Sequence, residues 1–235
     1  RFDKKHKNIS ELLEKIVDKT AKKINKKYVR VHGSRDYFRI AYDSEIVFEI
    51  IPVLNVKKSK EAENVTDLSY FHVGYVKNKL KNKNIVREII LAKKFSQAQG
   101  VYGAESYVHG FSGYGLECLV IHFKGFLQFL KALTRENNLI IDPNKYYKNI
   151  SDIQFSLVES KRKSPIILID PTNKERNALA SLNNESYEIL KNAAKKFIAQ
   201  PSESFFSQQV LDIKKIREKA KKNGMQIVEI VIKTD

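Results

Sequence analysis

The sequence predicts a mixed α+β fold, and three observations carry that expectation. A helical pattern over residues 9 to 26 is followed by three short β-type segments with turn residues between them. A mainly helical region then runs from Ser69 to about Asn137. Beyond it the pattern from Leu139 to Asp170 is strand-like and closes on Pro165-Ile166-Ile167-Leu168-Ile169-Asp170, an apolar run suited to a buried strand.

The first helix rests on Leu12, Leu13, Ile16, Val17, Ala21 and Ile24, which fall at helical spacing, with Ser10 as its cap. The β-type segments are Tyr28 to His32, Tyr37 to Tyr42 and Glu45 to Leu54. Gly33-Ser34-Arg35-Asp36 and Asp43-Ser44 supply the turns of an antiparallel meander, and Pro52 fits only the end or edge of its strand. Lys57 to Asp67 is polar, lacks a usable period and reads as a linker loop. In the helical region Ile85, Ile89, Ala92 and Phe95 share one face, which makes Gly100 the residue just past the helix end. Ser112 then caps a long run from Leu116 to Leu133. Between the two, five glycines from Gly100 to Gly115 let the backbone turn sharply or approach something closely.

Asp170 to Asn177 is turn chemistry. Ser186 to Ala199 is amphipathic, with Ile189, Leu190, Ala193 and Phe197 inward, Lys191, Lys195 and Lys196 outward, and Pro201 ending it. A last helix spans Val210 to Asn223 with Gly224 behind it, and a closing strand runs from Gln226 to Ile232.

With 235 residues and 42% hydrophobic content the chain can bury a real core. No apolar run is long enough to span a membrane, and no secretory signal is visible. The single cysteine, Cys118, sits among Leu116, Leu119 and Val120. That excludes a disulfide framework and indicates a buried thiol in a reducing compartment, with the cytoplasm as default. The charge is the strongest bulk signal: 43 Lys plus Arg against 27 Asp plus Glu gives +16. Such a field steers polyanions and favours RNA or DNA as the partner, with solubility of a Lys-rich chain as the bland alternative.

Glu49 is the most unusual carboxylate, enclosed in Ile46-Val47-Phe48-Glu49-Ile50-Ile51-Pro52. In that setting it is paired, protonated or bound to a metal, unless it faces water from a half-exposed sheet. Gly33-Ser34 followed by Asp43-Ser44-Glu45 imitates a nucleotidyltransferase metal motif, but the interval between is strand-like, so these read as hairpin turns. His72 among aromatics is ordinarily a structural histidine, Lys93 an ordinary helix lysine and Arg176 a solvated turn residue. Tyr102 between glycines either stacks on a base or plugs an interface. Zinc-ligand spacing, a Walker loop and a serine-nucleophile elbow are all missing from the sequence.

Read in order, these pieces resemble the archaeal class of CCA-adding enzymes, the tRNA nucleotidyltransferases. The resemblance rests on Glu49-Ile50-Ile51-Pro52, Phe71-His72, Val86-Arg87, Lys93 before Phe95, and Gly100-Val101-Tyr102-Gly103-Ala104-Glu105. It continues through Gly110-Phe111-Ser112-Gly113-Tyr114, Glu117, Asp170-Pro171, Arg176-Asn177 and Pro201-Ser202 with Phe205-Phe206. It implies the end of a polymerase-β-like palm over residues 1–56, a helical neck over 57–138, and the remainder of the neck with the start of a body or tRNA-binding domain over 139–235. It also implies untemplated addition or repair of the tRNA 3′ CCA from CTP and ATP by two-metal nucleotidyl transfer with Mg2+. A catalytically inactive tRNA-binding module derived from the family is the alternative.

Matched residue by residue, the resemblance puts Ser69, His72, Lys93, Tyr102 and Arg176 at the nucleotide, with Arg176 reading the base edge. It puts Glu49 at a metal-binding and catalytic carboxylate where the family has Asp. The family's Gly-Ser turn and its first two metal-binding aspartates are expected upstream of Arg1, so the isolated chain is expected not to catalyse. The implied partners are the tRNA acceptor stem and 3′ end, with Lys214, Lys215, Arg217 and Lys221 on the last helix contacting RNA. A separate chain carrying the N-terminal palm and a homodimer are further partners the resemblance allows.

Overall fold

The computed structural model describes residues 1–80, 83–135, 138–207, 213–226 and 228. Helix α1 (Ile9–Lys23) is capped by Asn8, whose side chain accepts the Glu11 N–H, while the expected cap Ser10 lies inside the first turn. Its buried stripe is Ile9, Leu13, Val17 and Ala21, and Ile16 and Ile24 fall on the flank and stay exposed. Strands β1 (Tyr28–Val31), β2 (Tyr37–Ala41) and β3 (Val47–Ile50) form the expected antiparallel meander. Phe38 and Ile40 of β2 pack on Leu13, Val17 and Ala21 of α1. Strand alternation turns Arg39 to the opposite face, where register sets it against Glu49. Asp43 accepts the Glu45 and Ile46 N–H groups, which makes Asp43-Ser44 a hairpin turn.

The stretch expected to be a linker is tightly built. Two 3-10 turns, Ser59–Glu61 and Val65–Leu68, surround the buried carboxylate of Asp67. That group accepts the N–H groups of Leu54, Glu63 and Asn64 and takes the Arg35 guanidinium, so it ties the sheet to the helices beyond. Burial pushes the Asp67 carboxyl up, but the Arg35 and backbone hydrogen bonds outweigh it and hold the group below the usual carboxylate range. A single buried acid has no periodicity, so the sequence pattern did not reveal it.

Helices α2 (Ser69–Lys79), α3 (Lys83–Ala98), α4 (Gly113–Phe123) and α5 (Phe126–Arg135) follow. The single run expected from Leu116 to Leu133 is therefore two helices. Lys124 takes a left-handed conformation with φ 62° and ends α4, and Glu88 of α3 accepts the Phe126 N–H at 2.8 Å where α5 begins. Ser112 caps α4 as expected, and Gly100 ends α3 with φ +71°.

The region expected to be strand-like holds strands β4 (Leu139–Ile141) and β5 (Ile166–Asp170) with helices α6 (Ile150–Ser156) and α7 (Glu159–Arg162) between them. Because β4 and β5 pair in parallel, a crossover is required, and α6 supplies it with Ile153 packed against Ile167 and Ile169. After a short turn, β6 (Asn173–Asn177) returns antiparallel to β5. Helix α8 (Asn184–Ala199) is capped by Asn183. Lys191, expected outward, is 6% exposed with its ammonium 5.3 Å from the Tyr187 ring, and Ile189, expected inward, is exposed. Helix α9 (Ile213–Lys222) ends before Gly224 at φ +63°. The expected closing strand falls outside the described residues except at Gln226 and Val228, neither of which is in a strand.

One core joins α3, α4, α5, β4, β5 and α8, so packing runs without a break across residue 138. Phe95 at its centre meets Phe126, Phe197 and Phe206 at ring-centroid distances of 5.4, 5.5 and 5.6 Å, which holds the 3-10 turn Glu203–Phe206 onto α3 and α8. Among the described residues no helix is long and apolar enough to cross a membrane.

Candidate functional site

Strand β5 is buried along its whole length and delivers Asp170 to its carboxyl end with no exposed surface. Five donor groups converge on that carboxylate. Its Oδ2 lies 3.0 Å from His72 Nε2 and accepts the Arg176 guanidinium at 2.6 Å. Its Oδ1 accepts the Tyr114 hydroxyl at 3.0 Å and the Thr172 N–H and hydroxyl at 2.8 Å each. Burial pushes the Asp170 carboxyl up, but the His72 and Thr172 hydrogen bonds and the His72 and Arg176 charges win and hold it well below the usual range. An ionised carboxylate at this depth needs that much compensation. It fixes the proton of His72 on Nε2, because a carboxylate only accepts.

His72 on α2 stacks on Tyr114 of α4, centroid to centroid 3.9 Å. Burial, with Cys118 and Asp170 close by, pushes the Tyr114 hydroxyl above its ordinary range, so it remains a donor. Ser69, His72, Tyr114 and Glu117 line a cleft of about 390 Å³ between α2 and α4. Ser69 donates its hydroxyl to the Thr66 carbonyl at 2.7 Å. Lys93 reaches Glu117 from α3 at 2.5 Å. Tyr102 is placed beside them by the glycine-rich connector, which folds back through a bridge between Tyr102 and Phe111. A Cβ on Gly113 would stand 2.8 Å from the Tyr102 hydroxyl and 3.9 Å from Lys93 Cε, so the absent side chain is what lets that ring seat against the start of α4.

Arg176 on β6 shares the Oδ2 atom of Asp170 with His72 and lines a second cleft, of about 490 Å³, whose lining includes Asn64, Ser112 and Asn177. Ser112 donates to the Ala178 carbonyl at 3.1 Å and so joins α4 to the end of β6. The structure thus puts Ser69 and His72 on the wall of one cleft and Arg176 on the wall of the other, with His72 and Arg176 meeting at Asp170, while Lys93 joins the first cleft only through Glu117 and Tyr102 lies beside Lys93.

Glu49 stands apart from this group. It is 46% exposed and pairs with Arg39 at 2.6 Å, and that ion pair supplies the partner its apolar neighbours cannot. Among the described residues no cluster of three or more His, Cys, Asp or Glu could hold a metal ion. The residues present therefore do not fit a metal site by themselves, since one carboxylate engaged by an arginine is too few donors for a divalent cation. Of the basic residues expected at RNA, Arg217 and Lys221 are exposed on α9, and the side chains of Lys214 and Lys215 lie outside the described residues.

Reading residues one at a time missed Asp170, Tyr114 and Glu117 as members of the site. The signal for Asp170 was present: an acid that ends a fully apolar strand is buried and must collect donors.

Fold and site together define an α+β protein with polar residues gathered around a buried carboxylate between two clefts. The family model described as "tRNA nucleotidyltransferase, second domain" matches residues 87–207, about half of the chain, and the chain belongs to that family. A CCA-adding enzyme of Nanoarchaeum equitans is 41% identical over 193 residues, covering 81% of this chain and 47% of the relative. One from Pyrococcus abyssi is 36% identical over 178 residues, covering 74% of this chain and 39% of the relative. The chain thus spans about half the length, or less, of these curated relatives. Among solved structures, E. coli MS115-1 CdnC in complex with HORMA-deltaN is similar at a TM-score of 0.49 and 14% identity, covering 84% of this chain and 68% of that one.

Proposed function

We propose that the chain holds the incoming CTP or ATP and the 3′ end of tRNA for untemplated addition or repair of the terminal CCA. The observation that supports this reading is the convergence of His72 and Arg176 on Asp170, with Lys93 held by Glu117 at the edge of the His72 cleft. Lys93 offers a cationic donor to a triphosphate, and the cleft lined by its partner Glu117 also holds the His72 ring and the Ser69 hydroxyl. Arg176, its guanidinium steadied by Asp170, presents a planar fork to a base edge. Tyr102 contributes a flat ring against the nucleotide.

In this reading residues 1–56 are the end of a nucleotidyltransferase palm, 57–138 a helical neck, and 139–235 the rest of the neck with the start of a body that meets the acceptor stem. The tRNA 3′-hydroxyl attacks the α-phosphate of the bound nucleotide, and pyrophosphate leaves. Mg2+ is the ion that belongs to such a transfer, and Glu49 would be one ligand beside carboxylates from outside the described residues. Those come from a palm segment, on this chain or on a partner chain.

Titration calorimetry with CTP and ATP tests the reading. Binding that is lost in Arg176→Ala while tRNA binding persists supports it, and unchanged nucleotide binding contradicts it. A salt series on tRNA binding tests the basic helix: the affinity falls steeply with salt if Arg217 and Lys221 contact phosphates, and a flat response rules that contact out.

A further inference from the structure

Helix α2 carries a glycine that the fold itself does not use. Gly74 sits in the helix interior with no positive φ, and a Cβ built on it would meet nothing within 4 Å. Glycine inside a helix lowers its stability relative to alanine, so the packing of the chain gives no reason for it. The open space before Gly74 is a cleft of about 560 Å³, within the range of small-ligand sites. Tyr70, Val73, Tyr146 and Pro171 wall it, and Lys77 lies among its lining. Tyr70 is 61% exposed, and the Arg1 guanidinium lies 4.3 Å over its ring. Val73 and Lys77 also line the cleft that holds His72, so the two clefts meet along one ridge of α2.

An aromatic wall, a bare stretch of helix and flanking cations suit a flat ring carried on an anionic backbone. That is the chemistry of an unpaired nucleotide in a nucleic-acid strand. We propose that the Gly74 cleft holds an unpaired nucleotide of the RNA 3′ tail, its base against Tyr70 and the open backbone at Gly74 and its phosphate toward Lys77. The inference rests on the function proposed above, which brings an RNA 3′ end to the adjoining His72 cleft.

The test measures, by fluorescence anisotropy with the full chain at fixed salt, binding of an RNA hairpin with a short unpaired 3′ tail and of the same hairpin made blunt. The tail tightens wild-type binding by roughly ten-fold, the scale of one stacked base. Gly74→Leu fills the cleft and loses that gain, while blunt-hairpin and CTP binding persist and the melting temperature is no lower than wild type, because leucine is the better helix former. If the leucine proves too large to fold, Gly74→Ala decides: it melts at or above wild type and loses part of the gain. A tail preference that survives whichever variant is folded, or one absent from wild type, overturns the inference while CTP binding keeps the function standing. A wild type that binds neither CTP nor RNA overturns both.

Discussion

Asp170 and Glu49 are both carboxylates in otherwise apolar strands, yet β5 buries Asp170 under five donors whereas β3 leaves Glu49 46% exposed with Arg39 as its hydrogen-bonded partner. The strands differ in what covers them. β5 is the central strand of its sheet, packed between the main core and the α6 cluster, whereas β3 is an edge strand with its outer face open. The contrast teaches that the groups proposed to hold a nucleotide are organised within the chain's own core. The carboxylate proposed for chemistry waits on a partner group.

The largest expected effect tests the Asp170 side. Asp170→Ala leaves the Arg176 guanidinium and the donors beside it without a counter-charge and is expected to cost about 3–5 kcal/mol. At roughly 2–4 °C per kcal/mol for a domain of this size, a thermal melt should fall by about 6–20 °C. A fall of only a degree or two would mean that the carboxylate is not the keystone of the cluster. The pH response should follow in sign. The folded-state carboxyls of Asp170 and Asp67 lie below their ordinary value, so their stabilisation is complete above about pH 4 and is lost as pH falls further. Urea midpoints should therefore drop between pH 7 and pH 3, and less steeply in Asp170→Asn than in wild type.

Smaller effects sharpen the comparison. Glu117→Gln releases Lys93 from its carboxylate partner and removes a negative charge from the cleft, so CTP should bind about three-fold tighter. Weaker binding would instead make Glu117 a direct contact of the nucleotide. Smallest of all, Glu49→Gln should leave the melting temperature unchanged within error, because its pair with Arg39 is open to solvent.

Much of this contrast was legible in the sequence. The β-type segment from Tyr37 to Tyr42 between its turn residues, the Ser112 cap and Gly100 each placed an element, because a turn or a cap is a local signal. The ordered motifs also singled out His72 and Arg176, two side chains that meet at the Asp170 carboxylate. What stayed hidden depends on partners distant in the chain. Asp67 inside a supposed linker is explained by Arg35, the break at Lys124 is fixed by Glu88 of another helix, and Lys191 is buried against Tyr187. The α6 crossover was concealed because its inward residues, Ile153 and Leu157, read equally well as strand.

The central claim is that the Asp170-centred residues form a nucleotide site within this chain, and calorimetric titration of CTP into wild type, His72→Ala and Arg176→Ala tests it most directly. Wild type should bind saturably, and each variant should lose roughly ten-fold or more in affinity, the scale of a hydrogen bond to a charged group, while remaining folded by circular dichroism. Equal affinities across the three proteins, or no binding by wild type, would contradict it.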